Sequence, residues 1–258
     1  MSNNPIGLYD SGFGGLSVWR ELHRALPNES LIYLGDGKNC PYGSLSEQTI
    51  REYATKSVQL LVDKGCKLVV VACNTATAAA ISHLRVTFPQ LPIVGLEPAV
   101  KPACLATRSG VVGVVATERS LKSEKFLTTL SRYGEGVNVI KVVGDGFVEA
   151  VEASMEEDPS TEQLVRNVIE PIIAVGADII VLGCTHYPFL RGVIERVIGD
   201  RCVTVIDSGE AVEKRVERLL DEYGIRASTD NIPELEFMTY ADEEYQNRLR
   251  NKAFEGLR

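Results

Sequence analysis

The sequence predicts an α/β fold of two similar, doubly wound domains with mainly parallel sheets. Two observations favour this fold: short apolar strands alternate with amphipathic helices, and a strand that ends in a cysteine occurs twice. Strands separated by helices form parallel sheets with right-handed crossovers. A chain of 258 residues with 45% hydrophobic residues has enough apolar material for one or two cores.

Short apolar or β-branched runs, each bounded by turn residues, are interpreted as strands. In chain order they are Ile6–Tyr9, Leu31–Leu34, Leu68–Ala72, Ile93–Leu96, Val111–Ala116, Val137–Val143, Ile179–Leu182, Val203–Ile206 and Glu236–Tyr240. Between them, Ser44 and Glu47 are spaced as a capping box at the start of one helix, and Ser160 opens another. Pro171 is expected to kink or shorten this second helix, and Gly176 to end it.

The two halves of the chain resemble each other. The run that ends at Cys73 is similar to the run that ends at Cys184, and the segment around Ser11 is matched, at a similar offset, around Thr117. Buried strands also resemble one another by chance, because they are all rich in Val, Ile and Leu. A cysteine at the end of both strands is harder to attribute to chance, so we expect two related α/β units.

Composition and charge exclude several classes of protein. A net charge of −8 and a pI near 5.1 argue against nucleic-acid binding. The longest apolar runs fall well short of the roughly 20 residues that span a bilayer. The N-terminus shows no export signal, and the six cysteines include no Cys-x-x-Cys pair. We therefore expect a soluble cytoplasmic protein with free thiols and no membrane partner.

Polar residues gather directly after the predicted strands. They are Asp10, Ser11, Asp36, Cys73, Asn74, Thr75, Thr117, Cys184, Thr185 and His186. Ligands of open α/β sheets bind at the carboxyl ends of the strands, so these residues mark a candidate site. A lone cysteine after a buried strand is usually an apolar filler, but two related strands that both end in cysteine favour a functional pair.

Two thiols are suited to inverting a carbon centre by proton transfer. One group removes a proton, and the other supplies a proton from the opposite face. A thiol with a pKa near 8.5 is only about 3% ionised at pH 7, so the site must favour the thiolate. Asp10 is a candidate to orient or deprotonate Cys73, as His186 is for Cys184. Helix N-termini, expected directly after both cysteines, would favour the anion and, with neutral donors, hold carboxylates.

Five co-linear motifs resemble the signature of the bacterial glutamate racemases. They are Asp10-Ser-Gly-Phe-Gly-Gly15, Gly35-Asp36, Pro41-Tyr-Gly43, Ala72-Cys-Asn-Thr-Ala76 and Gly183-Cys-Thr-His-Tyr-Pro188. The resemblance implies interconversion of L- and D-glutamate without pyridoxal phosphate or metal, and a supply of D-glutamate for peptidoglycan. It also implies an active site in the cleft between two domains, residues 1–97 with 208–258 and residues 98–207, in a homodimer.

The same resemblance implies a role for individual residues. Cys73 would act on D-glutamate with the help of Asp10, and Cys184 on L-glutamate with the help of His186. The implied substrate-binding residues are Ser11, Pro41, Tyr42, Gly43, Asn74, Thr75, Thr117 and Thr185. Asp36 and Glu152 are possible assisting residues.

One segment departs from the family pattern. The family usually has Cys-Pro-x-Phe-Val-Pro-x-Val-Glu where this chain has Gly144-Asp-Gly-Phe-Val-Glu-Ala-Val-Glu152. The Phe, both Val and the final Glu match, whereas the Cys and both Pro do not. Glu149 therefore competes with Glu152 for the assisting role.

Other functions fit parts of the sequence. The start of the chain is similar to a dinucleotide-binding turn, but the position of its third glycine is Ser17 and Asp10 would face a pyrophosphate. Cys184 and His186 could be half of a zinc site, but no second pair of ligands has suitable spacing. Proton transfer between two thiols and Cα does not depend on the length of the substrate side chain, so the sequence also fits racemisation of another amino acid, such as aspartate. It also fits a non-catalytic binding or regulatory role.

Overall fold

Strands and helices alternate along the chain, as the sequence predicts. The structure is a computed structural model that describes residues 1–256. The strands in that range are β1 (Ile6–Asp10), β2 (Leu31–Gly35), β3 (Leu68–Val71), β4 (Ile93–Gly95), β5 (Val111–Ala116), β6 (Asn138–Val143), β7 (Ile179–Gly183), β8 (Thr204–Ile206) and β9 (Leu235–Thr239). Each predicted strand is present, and its bounds agree to within one residue at each end.

Helices fill most of the stretches between the strands. They are α1 (Leu16–Ala25), α2 (Glu47–Asp63), α3 (Asn74–Thr87), α4 (Val100–Ala106), α5 (Glu118–Lys122), α6 (Glu124–Tyr133), α7 (Phe147–Glu152), α8 (Pro159–Ala174), α9 (Arg191–Ile198), α10 (Gly209–Glu222) and α11 (Glu243–Phe254). Within residues 1–256, every helix is either too short or too polar to span a lipid bilayer.

Two helix starts differ from the predicted ones. Helix α2 is capped by Ser46, whose Oγ accepts a hydrogen bond from the Thr49 amide at 3.1 Å, while Ser44 lies in a preceding 3₁₀ turn. Helix α8 is capped by Asp158 rather than Ser160. Capping requires an extended backbone at the cap residue, and spacing alone does not reveal which polar residue has it.

Pro171 does not shorten α8, which continues to Ala174. Beyond it, Gly176 has a φ of +90° and its amide bonds the Ile173 carbonyl at 2.9 Å. Only glycine adopts this φ without strain, so the prediction that Gly176 ends the helix is confirmed.

The described chain divides into two compact units, one formed by residues 1–96 and the chain from Gly209 onward, the other by Glu97–Ser208. The first unit contains a five-stranded sheet in the order β4-β3-β1-β2-β9, with all neighbours parallel. Helices α2 and α3 pack together, and α1 packs with α10 and α11. The first three strands are buried along their whole length, as expected of parallel strands covered on both faces.

The second unit contains a four-stranded parallel sheet in the order β6-β5-β7-β8. Alternate residues of β7 enter two different apolar cores. Ile180 and Leu182 pack with residues of α8 and α9, whereas Ile179 and Val181 pack with residues of α4 and α6. Helices therefore cover both faces of this sheet, and the predicted class of two doubly wound α/β units is confirmed.

The two sheets share one topology. The order β2-β1-β3-β4 in the first unit corresponds to β6-β5-β7-β8 in the second. In each, the strand order reverses beside the first strand, and ligands of doubly wound sheets bind at this switch point. Cys73 follows β3 and Cys184 follows β7, so the two thiols occupy equivalent positions at the switch points.

Asp178, directly before β7, connects the start of this strand to the chain that follows α4. Its carboxylate accepts hydrogen bonds from Thr107 Oγ1 at 2.5 Å, from the Arg108 amide at 2.7 Å and from the Ser109 amide at 3.0 Å. Burial raises the pKa of this carboxyl, but the hydrogen bonds lower it further, to about 2. The folded state therefore favours the ionised form of Asp178.

Asp178→Asn is expected to lower the free energy of unfolding by roughly 1–2 kcal/mol at pH 7, after a discount for partial exposure. Because the folded pKa is depressed, the stabilisation is complete above the unfolded pKa of about 4 and is lost as the pH falls towards 2. Urea unfolding at pH 7 and pH 3 should show the difference between wild type and variant shrinking by roughly half. Asp200→Asn, on an exposed turn, is the control, and a difference that grows at low pH would contradict the account.

Candidate functional site

Cys73 lies at the N-terminus of α3 and caps it. Its Sγ accepts a hydrogen bond from the Ala76 amide at 3.4 Å, and the side chain is only 4% exposed. Backbone amides and the positive end of a helix both stabilise a thiolate. The expectation that a helix begins directly after Cys73 is confirmed.

Asp10 ends β1, and Ser11 follows it in the glycine-rich turn of the same unit; both residues are buried. The Cys73 thiol lies 3.7 Å from Ser11 Oγ, to which it donates. Asp10 Oδ2 accepts hydrogen bonds from the Gly12 amide at 3.1 Å and the Gly15 amide at 3.0 Å, which closes the turn. A dinucleotide pyrophosphate would need these amides, so the dinucleotide alternative is disfavoured. That Asp10 assists Cys73 stays a prediction.

Asn74 and Thr75 form the first turn of α3, and both are buried. The Asn74 amide nitrogen, Nδ2, has no hydrogen-bond partner among the described residues. A buried donor without a partner costs roughly 1–3 kcal/mol, so its presence beside Cys73 favours a ligand that accepts this hydrogen bond. We call Asp10, Ser11, Cys73, Asn74 and Thr75 the Cys73 cluster.

Asp36 ends a buried chain of hydrogen bonds. Its carboxylate accepts from the Tyr42 hydroxyl at 2.6 Å and from Asn39 Nδ2 at 3.0 Å, and the Tyr42 and Tyr9 hydroxyls lie 2.6 Å apart. A phenol has one hydrogen, so Tyr9 must donate to Tyr42 when Tyr42 donates to Asp36. Burial raises the pKa of both tyrosines well above the usual value, which keeps them protonated.

This chain of hydrogen bonds changes the expected role of the segment Pro41-Tyr42-Gly43. The Tyr42 side chain is buried, and its hydroxyl is already bonded to Asp36 and Tyr9, whereas Pro41 and Gly43 are exposed. A ligand of this segment would therefore contact its backbone rather than the phenol. Tyr9 is not among the residues predicted from the sequence. A hydroxyl-bearing residue inside the apolar strand β1 was the sequence feature that could have indicated it.

Cys184 follows β7, but no α-helix begins directly after it. The chain instead makes a turn in which the Tyr187 amide bonds the Cys184 carbonyl at 3.1 Å, then a 3₁₀ segment over Tyr187–Leu190, and only then α9. The expectation of a helix N-terminus directly after this cysteine is wrong. Pro188 lacks an amide hydrogen, and the tighter turn brings His186 beside the thiol.

Three side chains of the second unit form a line that ends at the thiol. Cys184 Sγ lies 3.8 Å from His186 Nδ1, and His186 Nε2 lies 2.7 Å from Glu152 Oε1. An ionised Glu152 accepts a hydrogen bond from the protonated Nε2, which leaves Nδ1 unprotonated as the acceptor that faces the thiol. The arrangement is that of a thiol, a base and a carboxylate that orients the base.

Helix α7 decides between the two candidate glutamates. Phe147 and Val151 are buried, and the Phe147 ring packs edge-on against Tyr187 with a centroid distance of 5.1 Å. This contact sets the C-terminal end of α7, which carries Glu152, against the turn that contains His186. Glu149 is exposed on the same helix.

The two threonines predicted in the second unit lie at strand ends. Thr117 follows β5 and caps α5, with Oγ1 accepting from the Ser120 amide at 3.3 Å, and Thr185 is buried between Cys184 and His186. We call Thr117, Glu152, Cys184, Thr185 and His186 the Cys184 cluster.

These clusters define a class of two-unit α/β proteins with a thiol at the same switch point of each unit. The family model for Asp/Glu/hydantoin racemases matches residues 7–216. The chain is 49% identical to the glutamate racemase of Ectopseudomonas mendocina over 228 residues, 88% of this chain and 86% of the relative.

Solved structures agree with the sequence match. The glutamate racemase of Francisella tularensis in complex with D-glutamate has a TM-score of 0.85 and 26% identity, covering 99% of this chain and 95% of its own. The Escherichia coli glutamate racemase in complex with L-glutamate and the activator UDP-MurNAc-Ala has a TM-score of 0.82 and 32% identity. The match covers 96% of this chain and 95% of the Escherichia coli chain. The chain belongs to the Asp/Glu/hydantoin racemase family, and within it to the glutamate racemases. It is an isomerase, and the resemblance predicted from its motifs is confirmed.

Proposed function

We propose that this isomerase interconverts L- and D-glutamate by two-base proton transfer, with Cys73 and Cys184 as the two bases. The observation that carries the proposal is the equivalent position of the two thiols at the switch points of two sheets with one topology. The proposal includes the supply of D-glutamate for peptidoglycan by a cytoplasmic homodimer, without pyridoxal phosphate or metal.

The reaction balances with two proton transfers. The thiolate of one cysteine takes the Cα proton and becomes a thiol, and the electron pair of the broken C–H bond is delocalised into the adjacent carboxylate. The thiol of the other cysteine then gives its proton to the opposite face of Cα and becomes a thiolate. The two cysteines end in exchanged protonation states, so one turnover prepares the enzyme for the reverse direction.

The two thiols are activated in different ways. At Cys184, His186 Nδ1 accepts the proton and Glu152 stabilises the resulting imidazolium through Nε2. At Cys73, the Ala76 amide and the N-terminus of α3 stabilise the thiolate, and Asp10 assists from the adjacent turn. We assign removal of the proton from D-glutamate to Cys73 and from L-glutamate to Cys184, as the family resemblance implies.

Neutral donors hold the two carboxylates of the substrate. Asn74 Nδ2 supports this assignment most directly, because it is buried and has no partner within residues 1–256. The other donors are the hydroxyls of Ser11, Thr75, Thr117 and Thr185 and the backbone of Tyr42 and Gly43. Donors held in place beside a carboxylate also stabilise the negative charge that shifts into it as the Cα proton leaves.

Incubation with L-glutamate in D₂O tests the proposal. After treatment with EDTA and without pyridoxal phosphate, the protein is expected to bring the circular dichroism of the amino acid to zero and to place deuterium at Cα of both enantiomers. Aspartate, which is one methylene shorter, should react at least roughly tenfold more slowly. The Cys73→Ala/Cys184→Ala double variant, prepared in the same way, controls for contaminating racemases.

Each other outcome contradicts a different part of the proposal. Faster reaction of aspartate would reassign the substrate. Activity that is lost with EDTA and restored by a metal ion would overturn the cofactor-independent chemistry. No exchange with either amino acid would favour a binding or regulatory protein instead.

A further inference from the structure

Helix α11 contacts the turn that carries Asp10, although it lies beyond residue 216, where the match to the family model ends. The ring of Tyr245 stacks on the ring of Phe13, with a centroid distance of 4.7 Å and an interplanar angle of 19°. Phe13 is fully buried, two residues after Ser11 in the glycine-rich turn. Tyr245 therefore covers the turn that follows β1.

The same ring also contacts the chain that follows β2. A Cβ atom at Gly37, the residue after Asp36, would overlap the Tyr245 ring, so only glycine leaves room for it. The Arg248 guanidinium lies 4.9 Å from the centroid of Phe13 and 5.9 Å from that of Tyr245. A cation over an aromatic ring is attracted to the face of the ring, so Arg248 strengthens this contact. Tyr245 thus bridges the two strand ends that carry Asp10 and Asp36.

Within the glycine-rich stretch of residues 12–15, Phe13 is the residue whose side chain can pack against other elements of the fold. Gly12, Gly14 and Gly15 flank it and have no side chains. The backbone has two further supports, because Asp10 Oδ2 accepts from the Gly12 and Gly15 amides and the Tyr33 hydroxyl donates to the Gly12 carbonyl at 2.7 Å. A loss of the stacking on Phe13 therefore loosens the segment in which Asp10 and Ser11 lie.

Helix α11 has anchors that are independent of Tyr245. Leu249 and Ala253 are fully buried, and Arg20 on α1 donates to the carbonyls of Lys252 and Ala253 at the end of the helix. Phe254 packs edge-on against Trp19 with a centroid distance of 5.3 Å. These contacts hold the helix in place, so Tyr245 acts as a fixed support for the turn.

We propose that Tyr245 is a positioning residue for the Cys73 half of the reaction, because it stacks on Phe13 and seats against Gly37. The inference rests on the proposed function, in which Ser11 lies beside the Cys73 thiol and Asp10 assists it. A looser turn moves both residues relative to Cys73 and leaves the Cys184 cluster unchanged. Tyr245 therefore affects one of the two proton transfers.

Tyr245→Ala tests this through the primary isotope effects with Cα-deuterated D- and L-glutamate. Because the equilibrium constant between enantiomers is unity, kcat/KM must fall equally in both directions, by about tenfold. The deuterium slows only the step that removes it from Cα. If proton transfer at Cys73 becomes slower, the isotope effect with D-glutamate rises, because Cys73 removes the deuterium. The isotope effect with L-glutamate falls towards unity, because Cys184 removes the deuterium and the slow step is then reprotonation by Cys73. The shifts should have the same sense as those of Asp10→Asn, and Tyr245→Phe, which keeps the ring, should restore both values.

Phe254→Ala is the matched control, since it removes from the same helix a ring that packs on Trp19 of α1 rather than on Phe13, while Leu249 and Arg20 still anchor the helix. It should lower Tm without changing the isotope effects. Tyr245→Leu, which keeps apolar bulk, replaces Tyr245→Ala if the latter does not fold. Unchanged isotope effects in a folded Tyr245 variant, with shifted ones in Asp10→Asn, would reduce Tyr245 to a structural role and overturn the inference alone. Racemisation by Cys73→Ala would instead overturn the proposed function.

Discussion

Cys73→Ala and Cys184→Ala are each expected to lower the rate of glutamate racemisation by at least about a thousandfold. Inversion at Cα needs a proton acceptor on one face and a proton donor on the other, and alanine can be neither. The rate is measured by circular dichroism from each pure enantiomer. Racemisation near the wild-type rate in either variant would contradict the two-base assignment.

Each single variant keeps one base, which permits a sharper test. Cys184→Ala is expected to exchange the Cα proton of D-glutamate slowly with D₂O without inverting it, and Cys73→Ala to do so with L-glutamate. Exchange of both enantiomers in one variant would mean that a further residue acts as a base. Exchange of the opposite enantiomer in each would reverse the stereochemical assignment and leave the pair of thiols intact.

Each unit provides a matched control cysteine. Burial raises the pKa of Cys66, in the first unit, to about 12, and burial also raises the pKa of Cys104, in the second. Both therefore remain protonated near neutral pH. Cys66→Ala and Cys104→Ala remove a buried thiol of the same size as the two predicted bases, and their kcat/KM is expected to stay within about twofold of wild type.

His186→Asn is expected to lower kcat/KM by about a hundredfold, the usual contribution of a positioned acid–base group. Asparagine fills a similar space but cannot act as the base for Cys184, whose Sγ lies 3.8 Å from His186 Nδ1. The loss of kcat/KM must be equal in both directions, so it does not reveal which proton transfer is slowed. The primary isotope effects with Cα-deuterated D- and L-glutamate distinguish the step at Cys184 from the step at Cys73. The isotope effect should rise with L-glutamate and fall towards unity with D-glutamate, and equal changes would mean that His186 only shapes the pocket.

The two glutamates of α7 form a matched pair for the same test. Glu152→Gln should lower kcat/KM by about tenfold, because glutamine cannot stabilise the imidazolium as a carboxylate does. Glu149→Gln, three residues earlier on the same helix and exposed, should stay within about twofold of wild type. A greater loss in Glu149→Gln than in Glu152→Gln would reverse the assignment.

The strands were predictable because their signal is local. Runs such as Leu68–Val71 are buried on both faces and are apolar throughout, so their bounds follow from composition and flanking turn residues. Helix starts were less predictable: Ser46 caps α2 where Ser44 was expected. Both are serines before the same helix, and the conformation of the preceding 3₁₀ turn selects between them.

Two related α/β units, a cysteine at the end of one strand in each, and the family can all be predicted from the amino-acid sequence alone. All three follow from short contiguous motifs and from the repeat along the chain. The contacts between distant segments are visible only in the folded protein: Glu152 rather than Glu149 bonds His186, and Tyr245 stacks on Phe13. Periodicity along the chain reports which side of an element is buried, whereas contacts between distant elements depend on how the strand order and the packing of the helices place the ends of those elements.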